Sequence, residues 1–79
     1  MRAQEVLDAL RKHPFEPFRL QLTNGQSYEI HHRDFATVTR SSVFIGLSSG
    51  EDEIPDRAIQ CDLLHVVSLE PINGARKPT

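Results

Sequence analysis

Residues Phe18 to Ile30 read FRLQLTNGQSYEI, and the way this stretch folds back on itself decides the architecture. Phe18, Leu20 and Leu22 alternate with Arg19, Gln21 and Thr23, the period of a strand with one buried face. Asn24-Gly25 then signals a hairpin, for which a two-residue loop is the commonest solution. That loop would set Leu22 opposite Ser27 and Leu20 opposite Glu29, mixing apolar and polar groups on one face. A three-residue loop, Thr23-Asn24-Gly25 with Gly25 left-handed as a bulge, instead pairs Leu22 with Gln26, Leu20 with Tyr28 and Phe18 with Ile30. This register builds a single apolar face and is the one expected.

Upstream, Ala3, Val6, Leu7 and Leu10 recur at helical spacing, with Gln4, Glu5, Asp8, Arg11 and Lys12 on the other face. The helix stops near Lys12 or His13, because Pro14 disfavours helical conformation before it and Pro17 offers no amide proton. Downstream, Phe35, Ala36, Val38 and Thr39 read as a strand, Arg40-Ser41-Ser42 as a turn, and Val43-Phe44-Ile45-Gly46-Leu47 as a further strand. Successive apolar residues in that run predict burial on both faces, by the helix, a second sheet layer or a neighbouring subunit. Ser48 to Pro55 is an acidic loop carrying Glu51, Asp52 and Glu53; without alternating ligands or a closing glutamate it is not an EF-hand and reads as a solvated loop. Arg57 to Cys61 and His65 to Leu69 are two short strands joined at Asp62-Leu63-Leu64. The expected fold is α+β, an N-terminal helix followed by a five-stranded, strongly bent antiparallel barrel of SH3-like or Sm-like type. One domain covers 1–72, and 73–79 has the composition of a disordered tail.

With 79 residues, the chain is near the size at which one core barely suffices, so a homo-oligomer is expected. Nine basic and eleven acidic residues give a formal charge of -2, which excludes a global basic field for nucleic acid. A lone cysteine, Cys61, excludes an internal disulfide framework and suits a reducing compartment. The charged amino terminus is unlike a signal peptide, and no segment is long enough to span a membrane, so the chain reads as cytoplasmic.

The order of helix, FRLQLTNGQSYEIHHRDFATV, variable loop and AIQCDLLHVVSLEPI resembles the Sm-like fold, including the bacterial Sm-like RNA chaperones. Asn24-Gly25 stands at the place of that family's hairpin tip, Asp34 at its acidic residue after the second strand, and Ile59 to Leu69 at its second motif. The resemblance implies a ring-forming barrel more strongly than RNA binding. The basic signature beside the last strand is replaced by Cys61-Asp62-Leu63-Leu64-His65, with His65 the one counterpart, and Tyr28-Glu29-Ile30 lacks the usual glycine. The chain also resembles short bacterial proteins with a PFxPF-strand-NG-strand-HH pattern, for which no activity carries over.

Candidate sites are sparse. His31 and His32, adjacent on a strand, point to opposite faces and cannot easily share an ion. On the register above His32 faces inward with Ile30. His32 and Asp34, with a third ligand from His65 or Cys61 across the barrel, are the candidate metal ligands; the alternative is that His32 and Asp34 bond to each other or to backbone where the strand bends. A local patch of Arg19, Tyr28, His31, Arg33 and Arg40, to which His32 and Arg57 also belong, is the candidate nucleic-acid surface. Cys61, within the pattern Ile59-Cys61-Leu63, reads as a small buried hydrophobe and not as a nucleophile. No phosphate loop, catalytic carboxylate pair or cofactor fingerprint occurs, so a non-catalytic protein-interaction module without a cofactor is the leading expectation.

Overall fold

The computed structural model describes residues 1–48 and 54–72; the acidic loop residues Glu51 to Glu53 and the tail 73–79 lie outside the described residues. The amphipathic helix α1 spans Ala3–Arg11, with Val6 and Leu10 buried. Six strands follow: β1 Phe18–Leu22, β2 Ser27–Ile30, β3 Ala36–Val38, β4 Ser42–Leu47, β5 Arg57–Asp62 and β6 Val66–Pro71. Single 3-10 turns, Arg33–Phe35 and Leu63–His65, join β2 to β3 and β5 to β6.

The strands form two three-stranded antiparallel sheets, ordered β2-β1-β6 and β3-β4-β5. The expected α+β architecture is present, but there are six strands and not five, and the two sheets do not close into a continuous barrel. After Ile30 the chain turns through Arg33–Phe35, where the Phe35 amide donates to the His32 carbonyl at 3.0 Å, and β2 and β3 on either side of that turn lie in different sheets.

The hairpin register is the expected one. Phe18 lies opposite Ile30 and Leu20 opposite Tyr28. The Leu22 amide donates to the Gln26 carbonyl at 2.8 Å, and Gly25 takes a φ of 89°. Phe18, Leu20, Leu22 and Ile30 thereby enter one core with Val6, Leu10, Val43, Ile45, Cys61, Leu63 and Val66. Cys61 is the small buried hydrophobe its neighbours predicted. Filling one layer between helix and sheets from alternate strand residues is the main source of stability in so short a chain.

Two expectations fail. His32 is exposed, because regular alternation ends at Ile30 and the next residues already turn. Within the single chain neither the helix nor a second sheet layer buries both faces of the run Val43 to Leu47: Val43 and Ile45 are fully buried, whereas Phe44 is 38% exposed opposite Thr37 and Gln60. There the apolar residues reflect strand preference, with burial on one side only. Gly46 has its own reason to be small. A Cβ at this position would lie 2.8 Å from Pro55 Cγ, so the strand passes directly beneath that ring.

Each sheet has two edges, so β2, β3, β5 and β6 all lack a strand on one side among the described residues. The edges at β5 and β6 differ. β5 pairs with β4 in unbroken register over all six of its residues. β6 shifts register between Gln21 and Leu22, leaving Val67 as an unpaired bulge residue, 56% exposed, and it ends on Pro71. Among the described residues no helix is long and apolar enough to cross a membrane.

Candidate functional site

Most of the expected nucleic-acid patch is committed to internal contacts. Arg19, in the centre of the β2-β1-β6 sheet, lies opposite both Glu29 and Glu70. Its Nη2 is 3.0 Å from Glu29 Oε2 and its Nη1 3.7 Å from Glu70 Oε1. His31 Nε2 is 3.1 Å from the other Glu29 oxygen. These bonds, first from Arg19 and then from His31, hold the Glu29 carboxyl below its usual range despite its exposure. Arg33 turns back to the helix, its Nε donating to the Leu10 carbonyl at 3.0 Å and its Nη2 to the Lys12 carbonyl at 2.9 Å. The same guanidinium sits 5.6 Å from the Phe15 ring centroid. It supplies a cap for carbonyls that the helix end leaves unpaired, a role that sequence spacing does not signal.

Arg40 is different. It has no ion-pair partner among the described residues and lines a groove of about 420 Å³ with Arg2, Ser41, Asp62, Leu63 and Leu64. Leu64 is 82% exposed at its rim. Arg57, also exposed, lines a separate small pocket with Leu47 and Asp56.

The three expected metal ligands are not brought together. His32 packs edge-on against Phe35, with centroids 5.2 Å apart, and Asp34 lies in the exposed 3-10 turn. His65 sits at the far connection, its Nδ1 3.5 Å from Thr23 Oγ1. Among the described residues no group of three or more His, Cys, Asp or Glu side chains is placed to hold a metal ion.

His65 and Tyr28 do meet in a different feature, which sequence reasoning missed. A cleft of about 380 Å³ opens between the β1–β2 hairpin and β5. Leu22, Ile59 and Cys61 give it an apolar part, and Asn24, Gln26, Tyr28, Gln60, Asp62 and His65 line it with polar groups. The hairpin wall is internally organised: the Tyr28 hydroxyl donates to Gln26 Oε1 at 3.2 Å, and the Gln26 amide donates to Asn24 Oδ1 at 2.9 Å. The other wall is fixed by Asp62, whose Oδ1 accepts from the Leu64 amide at 2.9 Å and caps the 3-10 turn. The Thr23 amide closes that end by donating to the His65 carbonyl at 2.9 Å. Gln60 Nε2 donates to Ser42 Oγ at 3.1 Å, which leaves its amide oxygen for another donor. Burial among Leu22 and Ile59 pushes the Cys61 thiol up, so it is a poor nucleophile. The Asp-Leu-Leu capping pattern at Asp62 was the available sequence signal; the approach of β5 to the hairpin depends on tertiary packing.

Comparison with protein-family models, curated proteins and solved structures gave no match to this chain.

Proposed function

We propose that this protein is a partly open SH3-like or Sm-like barrel that serves as a non-catalytic interaction and assembly module, forming homo-oligomers by strand addition. The barrel reading is supported by the order β6-β1-β2 followed, across one 3-10 turn, by β3-β4-β5, the order of a single ribbon bent at that turn. The observation that carries the functional reading is the difference between the two terminal edges. β6 bears a bulge and a proline, devices that protect an edge from pairing, whereas β5 is regular, six residues long and unguarded. An unguarded edge offers main-chain donors and acceptors to a further strand.

The Leu63 amide donates to the Ser41 carbonyl, so by alternation the amides of Ala58, Gln60 and Asp62 point away from β4. Ala58→Pro therefore removes an outward donor without touching the β4 ladder. Light scattering of the wild-type protein should give a defined oligomer, and Ala58→Pro should lower its mass while keeping the circular dichroism of the fold. A wild-type monomer would sink the assembly reading.

A second reading, RNA binding on a Sm-like barrel, keeps one supporting observation: Arg2 and Arg40 share a groove and lack ion-pair partners among the described residues. The ultraviolet absorbance ratio of the same chromatographic peak tests it. Co-purifying nucleic acid that is lost on Arg40→Ala and displaced by salt favours this reading; its absence removes it.

A further inference from the structure

We propose that two copies of this chain join β5 to β5 about a two-fold axis at Gln60, and that each copy's Ile59 completes the apolar part of the other's cleft. The inference rests on the strand-addition reading above and names its partner strand and register.

The partner strand follows from comparing the edges. β2 and β3 are four and three residues long, and β6 is broken by its bulge and ends on Pro71. β5 alone is six residues long and in unbroken register, so the strand best fitted to β5 is β5 of a second copy. A strand paired with its own copy makes an isologous contact, which closes at two chains.

The register follows from the outward amides, those of Ala58, Gln60 and Asp62. An antiparallel pair exchanges bonds only where outward residues of both strands stand opposite each other. With the axis at Gln60, Gln60 faces its own copy and Ala58 faces Asp62, so every outward residue is used. An axis at Cys61 pairs Gln60 with Asp62 and leaves Ala58 beyond the other strand. An axis at Ile59 sets Asp62 against Asp56, two like charges, and the Asp56 amide is already bonded to the Leu47 carbonyl at 2.8 Å. In the Gln60 register Ile59 stands opposite Cys61 of the second copy, with Cα atoms about 4.5 Å apart as in a non-hydrogen-bonded pair. Leu22, Ile59 and Cys61 are the apolar lining of the cleft. That lining is incomplete in one chain and is finished by Ile59 of the other.

The lone native thiol reads the register. A cysteine opposite Cys61 of the second copy bonds to it under oxidised glutathione, whereas one displaced by two residues is out of reach. Ile59→Cys should therefore give a covalent dimer on a non-reducing gel at least about tenfold faster than Arg57→Cys or the wild type. Faster linking in the wild type puts the axis at Cys61, and in Arg57→Cys at Ile59; either result, or a folded and dimeric Ile59→Cys that does not link, overturns the proposal while strand addition stands. Light scattering of the wild type should give the mass of two chains. A larger assembly overturns the two-fold contact alone, and a monomer overturns both readings. If Ile59→Cys loses the circular dichroism of the fold, Gln60→Cys in a Cys61→Ala background takes its place. That exposed cysteine faces itself across the axis and should link; its failure to do so overturns the register.

Discussion

The guanidinium of Arg33 donates to the carbonyl of Leu10 across 23 residues of chain, at 3.0 Å, and so the end of α1 is held by a residue of the turn between β2 and β3. A second bond to the Lys12 carbonyl makes the contact two-pronged. Arg33→Ala should therefore lower stability by roughly 1–2 kcal/mol, read as the shift of a urea unfolding midpoint. Arg33→Lys should recover only part, since an ammonium does not reproduce the planar fork that serves both carbonyls. No loss in Arg33→Ala would remove the capping role.

At the hairpin tip the prediction rests on backbone alone. Gly25 has a φ of 89°, and nothing lies within 4 Å of where a Cβ would stand. Gly25→Ala should cost about 1–2 kcal/mol from the left-handed conformation without any clash, and Gly25→Asn less. Thermal unfolding of the three proteins gives the order.

The chain Glu70, Arg19, Glu29, His31 across the outer face of one sheet has a sign in pH. Glu29 is depressed in the folded state, by Arg19 first and His31 second. Its contribution is therefore present above the ordinary carboxyl value and is lost as pH falls through the lowered one. Glu29→Gln should be less stable than the wild type at neutral pH, and the gap should begin to narrow only below about pH 4 and close at still lower pH. Unfolding midpoints at the two conditions check it; an unchanged gap contradicts the pairing.

Gly46 tests packing. Its absent Cβ is what admits Pro55, whose Cγ and Cβ would stand 2.8 and 3.0 Å from an added methyl. Gly46→Ala should cost roughly 1–3 kcal/mol because a ring cannot swing away as a flexible side chain does. Pro55→Ala in the same background should restore part of the loss.

The residues themselves explain how much of this was readable beforehand. The hairpin register followed from matching apolar residues across a turn, a local problem with two candidate loops, and Phe18 opposite Ile30 is its outcome. His32 went wrong because alternation was extended past Ile30 into a turn, where no period applies. Phe44 went wrong because an apolar run reports strand preference as well as burial. The site was hardly legible. Arg33 looked like a surface cation, and its partners are helix carbonyls that carry no sequence identity. The cleft joins residues 22–28 to 59–65, and only the pairing of distant strands brings them together.

Cys61 gives the molecule a built-in reporter. The lone thiol is buried on the core side of β5, and burial disfavours its thiolate. Because Cys61 also lines the cleft beside the β5 edge, a thiol reagent reaches it through that cleft, and only slowly. A strand added to that edge would slow the modification, so the labelling rate of one native residue reads occupancy of the edge without any introduced probe.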